Sequence, residues 1–256
     1  MARGGAARVF LAHDKSGRPV ALKVLHPQLA VSVTADRFLR EISFLSQIDH
    51  PHVGKLVDSG ESDWLIYYVM GYVEGPTLRE HLARAGRACI AETIRIARDL
   101  LDALEYAHGK GIVHRDVKPE NIVLSPGGAV LLDFGIARAI AESGTDRLTR
   151  SGFAVGTSAY MSPEQVEGAE DIDHRSDLYS LGCVLFECAA GRPPYSATRE
   201  EVVLRMHLDG NVPDVRQFRP DAPPVLAELI GKALAGKRGD RWQSAREMRE
   251  ALPSEV

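Results

Sequence analysis

His114-Arg115-Asp116-Val117-Lys118-Pro119-Glu120-Asn121 is followed, across a short apolar hairpin, by Asp133-Phe134-Gly135. The first string sets a carboxylate, a cation and an amide oxygen within six positions, Asp116 to Asn121. Between the two strings, Ile122-Val123-Leu124 and Val130-Leu131-Leu132 read as strands around the turn Ser125-Pro126-Gly127-Gly128. Residues flanking the hairpin are expected to line a cleft, which would gather Asp116, Asn121 and Asp133.

Outward from this stretch the chain is helical on both sides. Ile90, Ile94, Ala97, Leu101 and Leu104 make one apolar stripe, with Gly109 and Gly111 where a helix should stop. Ser176 and Asp177 open the run Leu178 to Ala190, apolar nearly all round and so a buried central helix. Helical stripes and glycine breaks alternate from Pro224 to Leu252. The N-terminal part differs. Val20 to Val24 alternates inward and outward, and Trp64 to Met70 is rich in aromatic and branched residues. Between them Asp36 to Ile48 places Phe38, Ile42, Leu45 and Ile48 at helical spacing, and His50-Pro51 ends that helix. Glu74-Gly75-Pro76 then punctuates the chain. The expected fold class is α+β with two lobes in one domain: a small antiparallel-sheet lobe over 1–73 and a larger, mainly helical lobe over 74–256.

Composition excludes more than it identifies. A chain of 256 residues that is 45% hydrophobic and 26% charged is neither disordered nor fibrous, and its formal net charge of −4 argues against general nucleic-acid binding. Any affinity for anions must therefore be local. Cys89, Cys183 and Cys188 form no CxxC or Cys/His metal spacing, which suits a reducing cytoplasm. The longest apolar runs fall far short of the roughly 20 residues that span a bilayer, and Met1 to Phe10 is not a secretion signal. A cytoplasmic protein without a membrane segment is the expectation.

Phosphoryl transfer needs a cradle for phosphates, hard oxygen ligands for a metal, a cation on the phosphates and a carboxylate to position the attacking hydroxyl. The two opening strings resemble the catalytic loop and metal-binding motif of eukaryotic-like protein kinases, in particular the bacterial serine/threonine branch, and the resemblance covers essentially the whole chain. It implies ATP and Mg²⁺ as cofactors, with Mn²⁺ as an alternative metal. It also implies Asp116 as the residue that orients the hydroxyl, and Asn121 and Asp133 as metal ligands. Lys23, in Val20-Ala21-Leu22-Lys23, resembles the lysine that grips the phosphates, and Glu41 stands where its helix partner is expected. Met70 would back the adenine pocket, with Ala21 in its wall and Gly71 to Val73 as the hinge. The family usually has Glu where Gly71 stands, which should loosen the hinge rather than abolish binding.

The glycine-rich loop matches least: aligned on Val9, the pattern reads Ala2, Gly4, Ala7, Val9, so only the central glycine survives. Met1 occupies the place of the apolar residue above adenine, and the strand leading into the loop is missing from the pattern. Either the lobe tolerates a missing edge or the chain starts inside the domain.

Farther along, Ser162-Pro163-Glu164 resembles the element closing the activation segment, and Gly156-Thr157 the substrate-facing loop before it. The resemblance pairs Glu164 with Arg241 and makes Asp177 a brace for the catalytic-loop backbone. Lys118 and Thr157 point to serine and threonine acceptors. Thr149 and Ser151 stand where related kinases phosphorylate themselves, and Arg115, read as a poorly compensated cation, is suited to receive that phosphate. Expected partners are protein substrates and the protein itself, modified in trans. Two other classes share the pattern. A pseudokinase, acting as a binding or scaffold module, suits the degraded glycine loop but not the intact Lys23, Asp116, Asn121 and Asp133. A small-molecule phosphotransferase is opposed by Arg115 and by the peptide-docking segment from Asp133 to Glu164.

Overall fold

The computed structural model describes residues 2–3, 7–25, 35–62, 65–134 and 157–253. The architecture is two-lobed. In the N-terminal lobe, strands β1 (Ala2–Arg3), β2 (Ala7–His13), β3 (Pro19–Leu25), β4 (Leu56–Ser62) and β5 (Leu65–Gly71) form one antiparallel sheet in the order β1-β2-β3-β5-β4. The first strand is therefore not absent, as the sequence pattern suggested. It is a two-residue piece pairing Ala2 with Val9 and Arg3 with Arg8. The turn between β2 and β3 is set by Asp14, whose Oδ1 accepts from the N–H groups of Ser16 (2.8 Å) and Arg18 (2.9 Å).

Helix α1 (Ala35–Ser43) runs into a 3-10 turn at Phe44–Gln47 and stops at Ile48, ahead of His50-Pro51. Its period-3.6 residues Phe38 and Ile42, with Leu45 and Ile48 beyond, are all buried, and the Phe38 ring meets Tyr68 with centroids 6.4 Å apart. On β5 only Ile66, Tyr68 and Met70 face inward.

The C-terminal lobe contains α2 (Leu78–Ala85), α3 (Ile90–Gly109), the hairpin β6 (Ile122–Ser125) and β7 (Gly128–Leu131), then α4 (Pro163–Val166), α5 (Arg175–Ala190), α6 (Glu200–Asp209), α7 (Pro224–Ala233) and α8 (Ala245–Glu250). Ile94, Ala97, Leu101 and Leu104 of α3 have no exposure above 1%, so the predicted stripe is the buried face. Helix α5 is buried from Ser176 to Ala189, including two carboxylates, Asp177 in its first turn and Glu187 amid its apolar residues. It begins at Arg175, which puts Ser176 and Asp177 inside its first turn.

The hairpin is clamped between the lobes. Gly54 N–H donates to Leu131 O (2.8 Å), Leu131 N–H to His52 O (2.9 Å), and Leu124 N–H to Pro76 O (2.9 Å). Gly75 makes the last contact feasible: its φ is +139°, and a Cβ there would lie 2.1 Å from the Leu124 carbonyl oxygen. Leu132 lies beyond β7, its N–H donating to the backbone oxygen of Asn121 at 2.8 Å. The segments carrying Asn121 and Asp133 thus leave the same end of one two-stranded ladder.

Candidate active site

Between α3 and β6 the chain has one regular turn, the 3-10 helix Pro119–Asn121, so the shape of the rest depends on side chains. Asp177 supplies most of the bracing from the first turn of α5. Its Oδ2 accepts from His114 N–H (2.8 Å) and His108 Nε2 (2.8 Å), and its Oδ1 from Arg115 N–H (2.8 Å). Burial pushes the Asp177 carboxyl up, but the hydrogen bond and charge of His108, with the backbone N–H of His114, outweigh it and hold the carboxyl below its ordinary value. The ionised form is what two backbone N–H donors require.

His114 is buried and joins the segments that carry Asp116 and Asp133. Its Nε2 donates to Leu132 O (2.7 Å), its Nδ1 accepts from Asp116 N–H (3.1 Å), and its ring meets Phe134 edge-on with centroids 4.6 Å apart. Arg115 and Asp133 have φ of 67° and 62°, the non-glycine residues with left-handed backbone among those described. Such conformations cost about 1–3 kcal/mol each and persist where neighbours over-determine them.

The Asp116 carboxylate meets Lys118 Nζ at 2.7 Å and Asn121 Nδ2 at 3.0 Å, and the same Nδ2 donates to the Asp116 carbonyl at 2.9 Å. The Asn121 amide is thereby oriented, and its other atom, Oδ1, is a hard oxygen suited to a divalent cation. Across the cleft Lys23 Nζ contacts both oxygens of Asp133, at 2.6 and 2.5 Å. Lys23 is buried, and its ammonium lies 5.9 Å from the centroid of the Tyr68 ring. Burial, with the nearby Asp133 carboxylate, pushes the Tyr68 phenol well above its usual value.

On the sheet, Val9 is registered opposite Lys23, and Ala21 opposite Met70. Directly opposed residues share a face and β3 repeats every two residues, so Val9, Lys23, Ala21 and Met70 line one side of the sheet. Gly71 N–H is taken by Lys55 O at 2.9 Å, whereas the Val73 backbone finds no hydrogen-bond partner among the described residues. An unpaired main-chain donor and acceptor beside an apolar wall fit the edge of a purine. The acidic and amide oxygens of Asp133 and Asn121 fit a hard cation, and no group of three or more His, Cys, Asp or Glu ligands occurs among the described residues. A two-ligand set suits an ion that keeps water and phosphate oxygens in its shell, as Mg²⁺ does.

Glu164, at the start of α4, makes a buried two-pronged contact with Arg241, both bonds 2.8 Å. Arg115 is not without a partner. Thr157 begins the 3-10 turn Thr157–Tyr160. The side chains of Glu41 and Thr157 lie outside the described residues, as do Gly4, Gly135, Thr149 and Ser151 entirely.

Sequence reasoning passed over a second polar cluster, beside the loop that carries Asp116. Arg79, from α2, donates to Glu187 Oε1 (2.6 Å), to Glu120 Oε1 (2.7 Å) and to the Tyr160 hydroxyl, which itself donates to Glu187 Oε2 (2.5 Å). Burial opposes the charge on Arg79, but Glu187, Tyr160 and Glu120 raise its affinity for the proton. A signal was available: one Glu within an otherwise apolar buried helix demands a cation, and Glu187 is that residue.

Comparison with known proteins matches residues 1–251 to the family described as protein kinase domain. Similar curated proteins include a probable serine/threonine-protein kinase of Streptomyces coelicolor, 42% identical over 97% of this chain and 38% of its own length. Serine/threonine-protein kinase PknB of Mycolicibacterium smegmatis is 41% identical over 97% of this chain and 41% of its own. PknD of Mycobacterium tuberculosis is 39% identical over 96% and 37%. The chain thus spans about two fifths of the length of these relatives. No described helix is long and apolar enough to cross a membrane.

Proposed function

We propose that this chain, which belongs to the protein kinase domain family, moves the γ-phosphoryl group of ATP to a serine or threonine hydroxyl of a protein. The observation that carries the reading is the Asp116 carboxylate held between Lys118 and Asn121, on a loop whose backbone is tied to a buried aspartate. In the reaction the acceptor oxygen bonds to the γ-phosphorus as the bond to the β,γ-bridging oxygen breaks. The hydroxyl proton passes to Asp116, and ADP leaves. Lys118 offers a cation to the phosphoryl oxygens from beside that carboxylate. Lys23 offers another from the sheet face, and Val73 main-chain groups take the adenine edge. Asp133 and Asn121 would hold Mg²⁺, which when bound neutralises phosphate charge. The names of the relatives support protein serine and threonine acceptors, and the lobe boundary falls at Val73 and Glu74.

Incubation with Mg²⁺, γ-labelled ATP and a generic protein acceptor should yield labelled phosphoserine or phosphothreonine, abolished by EDTA. Asp133→Asn should weaken Mg²⁺-dependent nucleotide binding by about 10-fold or more, the scale on which disturbed metal sites lose affinity. Nucleotide binding without any transfer to protein would instead identify a binding module.

The polar, glycine-containing stretch Ser143 to Phe153 also supports self-modification at Thr149, Ser151 or both, the added charge being about −1.5 to −2 per phosphate. Phosphatase-treated enzyme should show a lag that preincubation with ATP removes, and the double substitution Thr149→Ala with Ser151→Ala should stay slow. Lag-free full activity in that double variant removes this switch.

A further inference from the structure

We propose that Gln165 is a positioning residue for phosphoryl transfer, an inference that rests on the kinase reading above for its catalytic consequence. Its amide is used at both ends. Oε1 accepts from Ser162 N–H (3.0 Å) and Ser162 Oγ–H (3.2 Å), while Nε2 donates to the Arg115 carbonyl at 2.7 Å.

The first pair of bonds caps α4, and glutamate would cap it equally well. A carboxylate accepts both bonds, and its charge favours the first turn of a helix. Capping therefore gives no reason for Gln over Glu at position 165. The Arg115 carbonyl does, because it needs a donor and a carboxylate has none.

Arg115 is the left-handed residue immediately before Asp116, and both of its peptide groups are held from outside the loop. Its N–H goes to Asp177 Oδ1 at 2.8 Å and its C=O to Gln165. The Arg115 carbonyl belongs to the peptide plane whose N–H is that of Asp116, which is itself fixed on His114 Nδ1. Gln165 therefore sets one edge of the plane from which Asp116 departs. Gln165, Arg115 and Asp116 also line the same small pocket, with Tyr160 and Ser180.

Gln165→Glu separates the two roles, since it keeps the cap and removes the donor. Gln165→Met removes both without adding charge. Both variants should lower kcat about tenfold, the scale of one lost positioning hydrogen bond, with KM for ATP within about twofold. Gln165→Glu should lose no more than about 2–4 °C in melting temperature, the scale of one part-buried carbonyl left unpaired, and Gln165→Met, which also loses the cap, should lose more. Amide exchange in a peptide covering His114 to Val117 should be about tenfold faster in both. Parental kcat and exchange in Gln165→Glu would overturn the proposal, as would a fall in kcat that scales with the loss of melting temperature across the two variants. If the parent transfers no phosphate the kinase reading fails, and amide exchange alone decides whether Gln165 holds the loop: unchanged exchange sinks the idea, and faster exchange sustains the positioning.

Discussion

Asp116→Asn is expected to lower kcat by about 100-fold or more while ATP affinity stays within about twofold. The side chain touches Lys118 and Asn121 and no residue of the purine wall, so the nucleotide's contacts survive the change. An amide in the same place retains one oxygen for Lys118 but has no negative charge to draw the acceptor proton. Its NH₂ group would also oppose the Asn121 Nδ2 that now donates to the carboxylate. The fold should be nearly unaffected, since the Asp116 side chain is 23% exposed and its backbone N–H is held by His114. Steady-state kinetics beside direct nucleotide titration separates the outcomes. Near-parental turnover in Asp116→Asn would mean that another group handles the proton, and weakened ATP binding with unchanged kcat would place Asp116 on the nucleotide instead.

The parts of this site that lie in short strings were legible in the sequence, because local chemistry alone restricts them. A carboxylate, a cation and an amide oxygen from Asp116 to Asn121 are constrained by one loop whatever packs around it. Residues that act through distant partners were legible only where the family resemblance supplied the pairing, as it did for Glu164 with Arg241. Gln165 reaches Arg115 across 50 positions and Arg79 reaches Glu187 across 108, and no periodicity encodes either meeting. Strand β5 shows a related limit. Leu65 to Met70 is apolar or aromatic at every position, so alternation cannot tell which face is buried; pairing with β3 and β4 puts Ile66, Tyr68 and Met70 inside. The hairpin turn was legible, since the four positions Ser125 to Gly128 close on one another. Gly128 has the φ of +119° that suggests a turn residue, and it pairs with Ser125 as the first residue of β7, packed on Asp99 and His52.

Arg241→Met is expected to cost about 3–5 kcal/mol, or about 10 °C in melting temperature for a domain of this size. Arg241 is fully buried with all five N–H donors used. Nε bonds Ala235 O at 2.7 Å, and Nη1 bonds Glu164 Oε1 and Arg175 O at 2.8 and 3.4 Å. Nη2 bonds Glu164 Oε2 and Gly236 O at 2.8 and 2.9 Å. Its guanidinium also stacks 4.8 Å from the Tyr179 ring centroid. Removing it leaves the Glu164 carboxylate buried with only the Ser176 hydroxyl as side-chain partner, together with three backbone carbonyls that had been satisfied. Arg241→Lys should recover little, because an ammonium cannot fill the two-pronged geometry. Glu164→Leu combined with Arg241→Met should recover part of the loss, since the uncompensated charge goes with its partner. The pair also fixes the sign of the pH dependence. Burial raises the Glu164 carboxyl, but hydrogen bonds from Arg241 and Ser176 and the Arg241 charge lower it further, so its folded value lies below the unfolded one. Its contribution is complete above the ordinary carboxylate value and is lost as pH falls through the depressed folded value. In Arg241→Met the depression should vanish, and the stability lost on acidification should shrink. Melting curves from pH 7 down to pH 3 test both statements. A melting temperature within about 2 °C of the parent at pH 7, or an acid slope unchanged by the substitution, would show that the pair is not what holds α4 against the C-terminal helices.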